Sequence, residues 1–127
     1  MDTKKVVVLA LHDEMESVYP PLNIAIGAAS LGADVWLAFS RNGVQILDQN
    51  YIPIPSEGLG YLSNALNDFG AATIDELLVI ASEMGVRFAV VDMDALERNI
   101  ISNHSFETVP IKWLLNEAAS ADLFVHF

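Results

Sequence analysis

The sequence contains no cysteine. That absence excludes disulfides, thiolate metal sites, iron–sulfur ligation and thioester or persulfide chemistry by this chain alone. Basic residues are scarce: 6 Lys and Arg stand against 17 Asp and Glu, for a formal net charge of −11. Nucleic acid and anionic lipid need a basic face, so neither is an expected partner. No apolar run reaches the ~18–20 residues of a membrane span. Ser17–Ala33 has no formal charge, but Pro20, Pro21, Asn23 and Ser30 interrupt it. Lys4-Lys5 before Val6–Leu11 has the outline of a signal peptide, yet the run is short and His12-Asp13-Glu14 follows it in place of a small-residue cleavage site. The expectation is a cytoplasmic protein.

Catalytic fingerprints are equally thin. There is no Gly-x-Ser-x-Gly elbow and no Gly-x-Gly-x-x-Gly after a strand, so no cofactor is expected. What remains is a chain of 127 residues, 53% hydrophobic and 18% charged. That length fits one domain, and the apolar excess argues against disorder. It also suits a subunit that buries further surface in an oligomer.

Apolar strands alternate with helices, the order of a parallel sheet covered on both faces. Val6–Leu11 is continuously apolar, as a strand buried on both faces should be. Ser17 is a candidate cap for the next helix, with Pro20 and Pro21 near its first turn and Gly32 past its end. Asp34–Phe39 reads as the second strand, and Ser40–Gly43 turns into a short helix ending near Leu47. Asn50–Ala72 is long for a connection and suggests a lid or partner contact, with a helical turn near Tyr61–Leu66. Thr73-Ile74-Asp75-Glu76 is a capping box, and Gly85 ends the helix it opens. Arg87–Val91 is the third strand and Asp92–Asn99 a helical turn. Thr108 and Pro110 open a last helix through Trp113, Leu114 and Ala118, and Asp122–Phe127 is a final strand. Trp36 and Trp113 read as core or subunit interface, Tyr51–Pro55 as an apolar subunit contact, His104 as solvated, and His126 as packed in or beside the sheet.

Four stretches carry a resemblance. They are Lys5–Leu11 with Val18-Tyr19-Pro20 and Ala25–Gly32; Val35–Phe39 leading to Gly43; Ile74–Leu78 with Ala81–Val86; and Leu114–Ala119 with Ala121-Asp122. In their order and spacing the whole chain, 1–127, resembles a single domain of the DsrE/DsrF/DsrH-like family. The resemblance implies a three-layer α/β/α fold around a mostly parallel sheet of about five strands. It further implies a homo-oligomer, trimer or hexamer, and a sulfur-relay protein partner. Many family members carry a cysteine just after the third strand. Here that stretch reads Ala89-Val90-Val91-Asp92-Met93, and Val91 stands where the sulfur would be. A valine can neither ionise nor hold a persulfide.

Ligands of open α/β sheets sit beyond the carboxyl ends of the strands. His12 and Asp13 follow the first strand there, Ser40 and Arg41 the second, Asp92 and Asp94 the third. These six are the candidate ligand-binding residues, and Arg41 could hold an anion or pair with a nearby acid. His12, Asp13, Glu14 and Glu16 with Asp92 and Asp94 offer oxygen ligands to a divalent cation, but match no recognised spacing, so no metal is expected. The expected function is therefore a non-catalytic, oligomeric protein that binds a partner or small ligand, linked to sulfur metabolism without a persulfide-carrying cysteine. The alternative is a small cysteine-independent enzyme or ligand receptor working through the polar residues at the strand ends.

Overall fold

The structure, a computed structural model, describes residues 3–56, 58 and 72–127. The helical turn expected near Tyr61–Leu66 lies outside the described residues. Five strands form one sheet: β1 (Lys5–Ala10), β2 (Asp34–Phe39), β3 (Arg87–Val91), β4 (Glu107–Val109) and β5 (Leu123–His126). Their order is β4-β3-β2-β1-β5, and every pairing is parallel. The helices are α1 (Met15–Ser30), α2 (Ile74–Glu83), α3 (Asp92–Arg98) and α4 (Ile111–Ser120), with a 3₁₀ helix at Arg41–Leu47. No helix among the described residues is long and apolar enough to cross a membrane.

Register divides the apolar strands between two layers. Val6, Val8, Ala10, Val35, Leu37, Phe39, Phe88 and Val90 pack with Val18, Leu22, Ala25, Leu78 and Ala81 of α1 and α2. Val7, Trp36, Ala38, Ala89, Val91 and Val109 pack with Leu114 of α4. The chain thus has the three-layer α/β/α arrangement expected of it, with the sheet parallel throughout. Side chains such as Phe39, Leu37 and Leu22 are fully buried, and each contributes about 1.5–3 kcal/mol relative to exposure. Trp36 and Trp113 meet edge to face at 4.8 Å, which assigns both to the α4 layer.

Gly32 and Gly85 end α1 and α2 in the left-handed region, at φ +89 each. Both close the same motif: Gly32 N–H reaches Ala29 O while Ala33 N–H reaches Ala28 O, and Gly85 and Val86 repeat this on Ser82 and Ala81. At the start of α2, the Thr73 hydroxyl oxygen accepts from Glu76 N–H at 3.1 Å, as its capping box requires.

Two boundaries and one side-chain environment differ from expectation. First, α1 starts at Met15 rather than after Ser17, and its N-cap Glu14 makes no side-chain capping bond. Met15 N–H instead donates to Ile54 O at 3.0 Å, so a distant segment supplies the acceptor. Pro20 and Pro21 consequently fall inside the helix and withhold the N–H groups that would reach the carbonyls of Glu16 and Ser17. Second, Thr108 belongs to β4, which sequence reading missed, and α4 begins after Pro110. Third, His126 is exposed on the edge strand β5, tilted against Phe124 at 6.3 Å, rather than packed.

Candidate functional site

Because the sheet is parallel, β1, β2, β3 and β5 deliver their carboxyl ends to one edge. The 3₁₀ helix after β2 is seated directly on the end of β1. Ser40 N–H donates to Ala10 O at 3.1 Å. A Cβ added to Gly43 would lie 2.1 Å from that same carbonyl oxygen, so only glycine allows the approach. Arg41 takes up a left-handed backbone, φ 53, to make the turn.

A clamp then joins this helix to α3. Asp94 and Arg98 are four residues apart and share one face of α3. The Ser40 hydroxyl donates to Asp94 Oδ2 at 2.7 Å. Asp94 is only 3% exposed, and a carboxylate that deep needs such a donor. Arg41 Nη1 lies 3.7 Å from Asp94 Oδ1, with most of its side chain in solvent. Beside them, Arg98 Nη2 donates to Asn42 Oδ1 at 2.8 Å, while Arg98 Nε is buried without a partner.

Of the six residues expected to converge, Ser40, Arg41 and Asp94 do so, and they contact one another. Asp92 turns back on its own helix, where Oδ1 accepts from Met93 N–H at 2.8 Å. His12 is exposed. Asp13 lines an open cleft that also takes in Gln45, Asn50, Tyr51 and Arg98. Among the described residues, no group of three His, Asp or Glu side chains could hold a metal ion.

The segment 51–56 is tied to the start of α1. Tyr51 Oη donates to Asp13 O at 2.6 Å, a bridge pairs Glu14 with Ile54, and Ser56 donates both its N–H and its hydroxyl to the Glu16 carboxylate. Ile52 and Ile54 stay exposed. Burial raises the Tyr51 phenol above its ordinary value, and the Asp13 charge adds to this. The Ser56 bonds hold the Glu16 carboxyl below its ordinary value. A lowered folded-state pKa adds stability above the unfolded-state value and loses it as pH falls through the folded one. Glu16→Gln should therefore lower stability at neutral pH and flatten the acid limb of the stability–pH profile, the gap to the parent chain closing as pH falls below about 4.5; a urea titration series across pH measures this.

Between the N-termini of α1 and α2 and the end of the 3₁₀ helix lies a cavity of about 500 Å³. Tyr19, Tyr51, Asp48, Asp75 and His104 stand on its wall. The His104 side chain is 10% exposed and holds Asp75 Oδ1 at 2.9 Å through Nε2. Its ring lies edge-on to Phe88 at 6.2 Å. This overturns the solvated reading. Its neighbours Asn103 and Ser105 gave no hint of it, because the partners come from α2 and β3.

A solved structure with the same architecture exists: the YchN protein from E. coli superposes with a TM-score of 0.72 at 19% identity, covering 99% of this chain and 100% of that one. The chain shares its fold with YchN. A conserved protein of unknown function from Bacteroides thetaiotaomicron also matches, with a TM-score of 0.63, 11% identity, and 96% and 94% of the two chains covered. No protein-family model matches the chain, and no curated protein matches its sequence. The YchN fold is DsrE-like, so the resemblance read from the sequence holds at the level of fold. Within this YchN-like frame Val91 ends β3 and is the residue from which α3 starts. It is 5% exposed, packed in the α4 layer.

Proposed function

We propose that the chain is a single DsrE-like domain that works as a non-catalytic subunit of a homo-oligomer, engaging a protein partner or small ligand in sulfur metabolism without carrying sulfur itself. The observation that carries this reading is Val91, a side chain without chemistry, buried at the position where the resembled family keeps its nucleophile. The apolar surface supports the assembly half. Ile111 and Leu115 on the outer side of α4, with Leu123 and Phe124 on the edge strand β5, are 39–63% exposed. An uncovered apolar edge strand is a surface that proteins normally shield.

Light scattering on the purified chain tests the assembly. A whole multiple of 13.8 kDa is expected at micromolar concentration, and Phe124→Glu should shift it toward the monomer. A strict monomer before any substitution would overturn the reading. The sulfur half is tested by Val91→Cys. The thiol would sit in an apolar layer that disfavours its ionised form, so its labelling by a disulfide reagent should be about tenfold or more slower when folded than when unfolded. Equal rates would mean that one substitution restores an accessible nucleophile, and that the site is still built for sulfur.

A further inference from the structure

We propose that the cavity between α1, α2 and the 3₁₀ helix is a binding site for a small organic ammonium ion, an apolar or aromatic body bearing one protonated amine. Its size, about 500 Å³, suits a ligand of one or two rings. Among the described lining residues the carboxylates are those of Asp48 and Asp75, and there is no Lys or Arg. Asp48 Oδ1 accepts from Asn50 N–H at 2.8 Å, which fixes the carboxylate and leaves its second oxygen to accept. Asp75 takes one bond from His104, and its carboxylate is otherwise open to a further donor.

The tyrosines point the same way. Tyr51 Oη spends its hydrogen on Asp13 O and Tyr19 Oη spends its hydrogen on Ala72 O, at 2.6 and 3.3 Å. Each phenol oxygen is thereby left as an acceptor, and aromatic rings attract cations through their negative faces. Ile46, Leu47 and Leu78 supply the apolar lining. The result is a pocket with acceptors, aromatic walls and negative charge, on a chain of net charge −11. A carboxylate or phosphate ligand would meet like charge there, and an ammonium meets its complement. This site is distinct from the six residues at the strand ends and does not rest on the assembly reading.

Calorimetric titration with phenethylamine, phenylacetate and 2-phenylethanol at near-physiological salt tests it on the full chain. Phenethylamine is expected to bind saturably at one site per chain, with the other two about tenfold weaker or worse. Asp48→Asn/Asp75→Asn should lose phenethylamine by about tenfold or more. Asp48→Asn alone keeps the acceptor for Asn50 N–H and serves as the second variant if the double one does not fold. In amide NMR spectra the bound amine should shift Gln49, Thr73 and His104. The proposal falls if phenylacetate binds as well as the amine or if none of the three binds at millimolar concentration. It also falls if binding survives the carboxamide substitutions, or if the shifts scatter over the acidic surface. Each of these results is separate from the oligomer mass, which tests the assembly.

Discussion

Gly43→Ala is expected to lower the melting temperature by several degrees or more, a large effect for one methyl group. The added Cβ would meet Ala10 O at 2.1 Å and Ala10 C at 2.6 Å, so backbone presses on backbone and no side chain can swing aside. Ala10 ends the interior strand β1, held by β2 on one side and β5 on the other. The 3₁₀ helix must therefore lift, which strains the Ser40 N–H to Ala10 O bond and the contact with α3. Overpacking of this kind costs about 1–3 kcal/mol or more, and each kcal/mol is worth roughly 4 °C in a domain of this size. Gly27→Ala is the control. Nothing lies within 4 Å of its added Cβ, and alanine in a helix interior gains about 0.5–1 kcal/mol. A scanning calorimeter should see opposite signs for the two substitutions. Equal melting temperatures would mean that the 3₁₀ helix does not rest on β1.

Local signals in this sequence translated into structure wherever the physics was local. The continuous apolar runs of β1, β2 and β3, the capping hydroxyl of Thr73 and the glycines past α1 and α2 each carry their own cause within a few residues. The failures share the opposite character. The start of α1 is set by the Ile54 carbonyl, about forty positions away, and no property of Ser17 or Met15 announces it. β4 is three residues long, begins with a glutamate and buries only Val109, so it offers no alternation to detect. Of the six polar residues expected to gather at the strand ends, Ser40, Arg41 and Asp94 meet. Which of them touch was not legible, because Asp94 meets Ser40 only through the seating of Gly43 on Ala10. The cavity was missed for the same reason: Tyr19, Asp75 and His104 come from three separate parts of the chain.

Asp94→Ala should destabilise the fold by about 1–3 kcal/mol, because it leaves the Ser40 hydroxyl without its acceptor in a buried setting. It also deprives Arg41 of its carboxylate. Ser40→Ala should be damaging in its own way. It leaves a carboxylate that is 3% exposed facing one guanidinium at 3.7 Å, a poor substitute for a 2.7 Å hydrogen bond. Asp94→Asn should be milder than Asp94→Ala, since an amide oxygen still accepts from Ser40. A double-mutant cycle on the two alanine substitutions, read by urea unfolding, should give a coupling of about 0.5–3 kcal/mol. Additive effects would mean that the two side chains act independently and that no clamp exists. The cycle bears on function as well as stability. Ser40, Arg41 and Asp94 stood among the residues expected to face a ligand, and in the fold they bond one another. Their partnership fixes α3, and α3 starts from Val91. A strong coupling would therefore mean that the polar contacts at this edge hold the end of β3, where Val91 hands over to α3, in shape.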